Sequence, residues 1–192
     1  TSAEILDHYE KYKLYYQPSF KFDGVNDYIN ITRVVQDDFT LEAWVNKHSS
    51  LTNNGACNTA QWYCGFGIID GEISGDVNDF GLTIKDDRAV FGTGNPDASI
   101  FSSTTLNNNT WYHIVATRVR STGNIRIYVN GIDQNSSTGN TNSLTVPSRL
   151  GIGVSGFTNG RNFNGSITQV RIYNRSLSAN QIFELYNSYN TS

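Results

Sequence analysis

The residues best suited to chemistry crowd one short stretch. Asp70, Glu72, Asp76, Asn78 and Asp79 follow an apolar run at Gly65–Ile69. Hard oxygen donors on a Gly-containing loop suit Ca2+, with carbonyls and water completing six to eight positions. The D-V-N-D spacing matches the start of a helix–loop–helix calcium loop only in part, and the required downstream Glu is missing. The plain alternative is a solvated acidic turn. A second acidic turn, Asp23 with Asn26 and Asp27, is also a Ca2+ candidate, although Asp and Gly serve turn geometry there equally well.

Ligand chemistry points to the stretch ACNTAQWYC. Trp62 and Tyr63 offer apolar faces with polar tips, as sugar-binding sites do. Trp62 has two readings: an exposed face for a ligand, or a ring folded back over a sheet edge. Phe157, Asn159, Arg161 and Asn162 form a second polar-aromatic loop, from which Asn159 and Arg161 are taken as ligand-binding candidates. Cys57 and Cys64 have the wrong spacing for a redox pair, and no His completes a zinc motif. The expectation is a disulfide closing this loop, which adds about 2–3 kcal/mol on the chain-entropy model and implies an oxidising compartment. The alternative is two reduced thiols.

Catalysis finds little support. His8, His48 and His113 are scattered. His113 falls in a predicted sheet and is expected to be packed and hydrogen-bonded. Glu42 lies on a predicted strand and is followed at the same face by Trp44, not by a second carboxylate. No catalytic residue is assigned and no enzyme activity is expected.

Strands must position these groups. Phe39, Leu41, Ala43 and Val45 alternate with polar neighbours, as do Ile125, Ile127 and Val129. Asn130-Gly131 then reads as a type I′ hairpin turn into a strand from Ile132. Trp111–Val119 is apolar on both faces, as a doubly covered central strand would be. Shorter strands are predicted at Ser19–Phe22, Tyr28–Ile31, Gly65–Ile69, Gly81–Ile84, Ala89–Phe91, Ile100–Ser102, Arg149–Val154 and around Val170–Ile172. Their regular spacing indicates two packed antiparallel sheets. Ser178 and Gln181 form a capping-box pattern ahead of Ile182, Leu185 and Tyr186, which share one helical face. The expected fold is all-β: a two-sheet antiparallel jelly-roll sandwich over 19–192, with a short C-terminal helix. Residues 1–18 are an N-terminal arm or linker, either a stub or an element docking on a neighbouring subunit.

Three phrases in order, FDGVNDYINI…FTLEAWV, WYHIVATRV…IRIYVNG and ITQVRIYNRSLSANQIFELYN, resemble laminin-G-like domains of the concanavalin A-like class. The resemblance spans roughly residues 20 to 188. It implies a mostly extracellular, mostly binding role, a turn of helix after the last strand, and frequent Ca2+ on loops at one rim. Glycosidases of this class carry two Glu alternating on one strand, bracketing the sugar bond, and this chain shows no such pair.

Net charge is −3 and no Lys/Arg cluster appears, so nucleic acid and anionic membrane are not expected partners. Arg118, Arg120 and Arg126 are the densest basic group. No apolar run approaches the roughly 18 residues of a membrane span. The chain starts at Thr1, and a removed leader is expected. Sequons occur at Asn30, Asn108, Asn135, Asn164, Asn174 and Asn190, mostly in turns; Asn30 sits in a strand and should face the polar side. Together these features predict a secreted or cell-surface, non-enzymatic binding or adhesion module for glycan or protein. A surface filament or layer subunit, assembling through residues 1–18, is the alternative.

Overall fold

The structure is a computed structural model that describes residues 18–52, 57, 59–75, 77–156 and 161–189. The expected arm lies outside the described residues except for Pro18, as do Asp76, Phe157, Asn159 and Asn190.

Two six-stranded sheets face each other. The first holds β1 (Phe20–Asp23), β3 (Phe39–Lys47), β8 (Trp111–Val119), β9 (Asn124–Val129), β10 (Ile132–Thr138) and β14 (Asn164–Tyr173). Its order is β1-β14-β3-β8-β9-β10. The second holds β2 (Ile29–Thr32), β4 (Phe66–Asp70), β5 (Phe80–Lys85), β6 (Arg88–Thr93), β7 (Ala98–Thr105) and β11 (Arg149–Ile152). Its order is β2-β11-β4-β5-β6-β7. A small hairpin pairs β12 (Val154–Ser155) with β13 (Arg161–Asn162). Ladders between sequence-distant strands, such as β14 with both β1 and β3, are antiparallel and give the expected sandwich.

The core follows the period-2 alternation. Phe39, Leu41, Ala43 and Val45 of β3 enter one hydrophobic cluster with Ile114, Ala116, Ile125 and Ile127 from the same sheet and Phe80, Leu82 and Phe91 from the other. The Phe39 ring lies 4.6 Å from Phe80 and 6.1 Å from Phe91. Both faces of β3 are buried, because the opposite face is covered as well. The cover is α1 (Ala179–Ser188). Its start is the capping box: Gln181 N donates to Ser178 Oγ, and Ser178 N donates to Gln181 Oε1. Ile182 and Leu177 pack on Val115 and Tyr128, and Tyr186 stacks on Trp44 at 5.9 Å. Thus β8 is doubly covered, as its two apolar faces required.

The Asn130-Gly131 turn has φ of 52° and 76°, the left-handed pair of a type I′ hairpin. Arg118 belongs to no basic surface patch. It is buried, and its guanidinium donates to the carbonyls of Gln36, Asp37, Asn140 and Asn142, tying two loops together. Among the described residues, no helix is long and apolar enough to cross a membrane.

Candidate functional site

The outer face of the second sheet carries the candidate site. Strand β4 ends at Asp70, opposite Gly81 of β5, and both point outward. The disulfide Cys57–Cys64, with Cα atoms 5.4 Å apart, holds a short 3₁₀ turn, Trp62–Cys64, over this face. Trp62 is 0 % exposed. Its backbone N–H donates to Ser99 Oγ, and its carbonyl accepts from Thr83 Oγ1. Its ring fills a notch made by two missing side chains. A Cβ on Gly81 would lie 2.6 Å from Trp62 Cζ3, and one on Gly92 2.1 Å from Cδ1. The ring therefore presents no free face. It folds back, over the middle of the sheet rather than its edge, and leaves partly exposed Tyr63 as the aromatic neighbour, 6.0 Å away edge-on.

Beside this turn, Cys57, Tyr63, Glu72, Ser74, Gly75, Asp79, Asp97 and Arg161 line a cavity of about 420 Å3. The structure thus joins two sets that lie apart in the sequence: Glu72 and Asp79 as metal candidates, Tyr63 and Arg161 as ligand candidates. Nothing in the sequence singles out Asp97. It arrives on the turn between β6 and β7, and only the pairing of those strands brings it here. Asn78 is directed elsewhere. Its side-chain oxygen accepts from Asn142 Nδ2 at 3.1 Å, and its carbonyl from Val146 N.

The loop between β4 and β5 is folded by its own acids. Asp70 Oδ1 accepts the N–H of Glu72 at 2.7 Å and of Gly156 at 3.3 Å. Asp79 Oδ2 accepts that of Ile73 at 2.9 Å. Asp70 is 0 % exposed, and its Oδ2 has no hydrogen-bond partner. The nearby buried atoms Ser155 Oγ and Arg161 Nε share that condition, which is costly unless something outside the chain satisfies them. Burial pushes the Asp70 carboxyl up to about 7 against the two N–H donors, with the Asp79 charge adding. Burial and then the Asp70 charge push Glu72 up to about 7, and Arg161 opposes them. Burial also pushes Asp79 up to about 7, opposed by the Ile73 N–H and reinforced by Glu72. Among the described residues, no three His, Cys, Asp or Glu are grouped as metal ligands would be, and Asp76 lies outside them.

A pH effect follows from these directions. The three carboxyls hold protons more tightly folded than unfolded, so the folded state binds more protons between about pH 4 and pH 7. Stability should therefore rise as pH falls through that window. We expect a Tm at pH 5.5 above that at pH 8 by about 4–8 °C, or about 2 kcal/mol, followed by circular dichroism. Asp79→Asn should flatten the trend. A flat or reversed slope in the wild type would contradict the crowding of these acids.

Elsewhere the sequence candidates serve structure. Asp23 Oδ1 accepts the N–H of Val25 and Asn26, and Asp27 Oδ2 accepts that of Asp23. The Val25 N–H foremost holds the Asp23 carboxyl below its usual value, so this turn uses its acids on itself. His113 is packed under α1, with Nε2 3.1 Å from Glu42 Oε1. Among the sequon residues, Asn30, Asn108, Asn135 and Asn174 are exposed and Asn164 is half-buried.

A second, larger cavity of about 700 Å3 is lined by Val34, Gln36, Asp37, Asp38, Arg120 and Asn174, among others. Its charged groups are already engaged within the chain. Arg120 Nη1 lies 3.4 Å from Asp37, its Nε donates to Thr141 O, and its backbone N–H donates to Asp38. Among the described residues, the smaller cavity gathers Glu72, Asp79 and Asp97 with Arg161.

Solved structures share the fold. The binding domain of Paraclostridial Mosquitocidal Protein 1 is 18% identical with a TM-score of 0.68, covering 91% of this chain. This chain spans only 44% of that domain. Domain 4 of AbnA, an extracellular arabinanase from Geobacillus stearothermophilus solved with arabinotriose, is 17% identical with a TM-score of 0.67, covering 88% of this chain and 76% of that one. The Ruminococcus gnavus IT-sialidase CBM40, solved with α2,3-sialyllactose, is 9% identical with a TM-score of 0.66, covering 88% of this chain and 97% of that one. No curated protein sequence matches. The laminin-G family model described as the concanavalin A-like lectin/glucanases superfamily matches residues 23–183. With that match over most of its length and the two-sheet sandwich beneath it, the chain belongs to this superfamily.

Proposed function

We propose that the chain is a non-enzymatic glycan-binding module that takes its ligand in the cavity beside the Cys57–Cys64 turn. The observation that carries this reading is the joining of Tyr63, Glu72, Asp79, Asp97 and Arg161 around one opening. Such a set offers an aromatic edge, acceptors for sugar hydroxyls and a forked donor. The sugar complexes of the arabinanase domain and the sialidase module lend support, since both share this sandwich. Hydrolysis is disfavoured because Glu42, an acid in mid-strand, lies fully buried beneath α1. The disulfide favours a secreted or cell-surface setting.

A glycan array with the purified domain, run with Ca2+ and with a chelator, tests the reading. Binding is expected, and Tyr63→Ala or Arg161→Ala should weaken it by about tenfold or more while Tm stays within about 2 °C. A blank array, or variants that bind as the wild type does, would refute the site. Loss of binding in chelator would show that a cation takes part in binding.

A further inference from the structure

We propose that this cavity selects its glycan by charge, preferring sugars that carry a free protonated amine and turning away sugars that carry carboxylate or sulfate. The inference rests on the glycan reading above and names the ligand class for the same site. Among the described residues, the carboxylates of Glu72, Asp79 and Asp97 line the opening together with one guanidinium, Arg161. A fourth, Asp70, lies fully buried and electrostatically coupled to this group, with one oxygen unpartnered. With Asp97 left out of the count, Glu72 and Asp79 still outnumber Arg161 among the described residues, an excess of negative charge where the ligand would sit.

Glu72 and Asp79 are themselves only 7 % and 2 % exposed, so water screens them poorly. An ammonium group brings three donors and needs only acceptors at ordinary hydrogen-bond distance. A metal ion needs six to eight oxygens drawn in to 2.3–2.6 Å, and among the described residues no such grouping is present. An amine makes a lesser demand on the spacing of these acids than a metal ion does. Charge-assisted hydrogen bonds from it would also relieve the mutual repulsion of the carboxylates. Arg161 keeps one place for a hydroxyl or carbonyl oxygen of the same ligand.

An excess of even one unit charge a few ångströms from the ligand changes affinity between charge states by about tenfold or more. The test is a matched array at about pH 7.5 and low salt, with each sugar backbone present in N-acetylated, free-amine and carboxylate- or sulfate-bearing forms. The free-amine form should bind at least about tenfold tighter than the N-acetylated form, and the anionic form at least about tenfold weaker. Added salt should compress both ratios in part, since carboxylates this little exposed are screened less than surface ones. Glu72→Gln with Asp79→Asn keeps shape and hydrogen-bond acceptors, and should cut the amine preference by about tenfold or more. Circular dichroism establishes whether this variant folds, and the salt series on the wild type tests the same point without it. Anionic forms bound as well as or better than neutral ones, or an amine preference unmoved by salt, would overturn the charge inference alone. If no form binds, the glycan reading itself fails.

Discussion

Glu42→Ala should lower the stability of the domain by about 3–5 kcal/mol, the usual cost of stripping one partner from a buried charged network. The carboxylate is 0 % exposed on β3. It accepts from Tyr173 OH at 2.8 Å and Arg171 Nη1 at 2.9 Å, and lies 3.1 Å from His113 Nε2. The helix α1 closes over it through Tyr186 and Trp44. Removing it leaves His113, also fully buried, and the Tyr173 hydroxyl without their acceptor. Burial alone would raise the Glu42 carboxyl. The hydrogen bonds from His113 and Tyr173 and the charges of His113 and Arg171 outweigh burial and hold it below its usual value. With a folded value below the unfolded one, its contribution is present above about pH 4.5 and fades as pH falls through the folded value. The gap between wild type and Glu42→Gln in urea melts should therefore be open at pH 6 and narrow in strong acid. A Glu42→Ala variant within about 1 kcal/mol of wild type would show that the network is not structural.

Trp62→Ala is expected to be comparably damaging, at about 3–5 kcal/mol. Its ring occupies the notch over Gly81 and Gly92, and no neighbouring side chain can move in, since both floor residues lack one. The disulfide keeps the backbone nearby, so a void should remain. The contrast with Tyr63→Ala is the informative part. Adjacent residues of one turn should split cleanly, Trp62 governing unfolding and Tyr63 governing ligand affinity. If Trp62→Ala abolished binding without lowering Tm, the ring would be a ligand platform after all.

These two positions also mark how far the sequence can be read. Locally encoded features are legible: the Asn130-Gly131 turn, the Ser178–Gln181 capping box and the alternation of β3 and β9. Each depends on residues within a few positions of one another. The placement of Trp62 is not legible, because its burial depends on glycines about 20 and 30 positions away that meet it only after β5 and β6 pair. The expected strand over Arg149–Val154 is interrupted at Gly153, whose φ of 84° turns the chain into the β12–β13 hairpin. A bulge between Thr168 and Arg171, with Gln169 at φ 51°, likewise leaves no sequence signal. Gln169 Oε1 there accepts from Arg171 Nη2 and Tyr189 OH, so the bulge aims its side chain into the Glu42 network.

The candidate site is half legible for the same reason. Glu72 and Asp79 group together in the sequence because they sit on one loop. Spacing also draws in Asn78, whose side chain turns toward Asn142. Asp97 and Arg161 reach the cavity on separate strand connections, and only the strand order places them there. Glu42 and His113 look unrelated in the sequence. The β3–β8 register sets His113 opposite Trp44 and Val115 opposite Glu42, so Glu42 and His113 become diagonal neighbours on one face.

Ligand entry beside the disulfide turn is tested most directly by backbone amide chemical-shift mapping, with a glycan that binds on the array. The changes should centre on Tyr63, Glu72, Ser74, Asp79, Asp97 and Arg161. Changes centred instead on Gln36, Asp38, Arg120 and Asn174, around the larger cavity, would put the ligand in the other cavity and refute the proposed site.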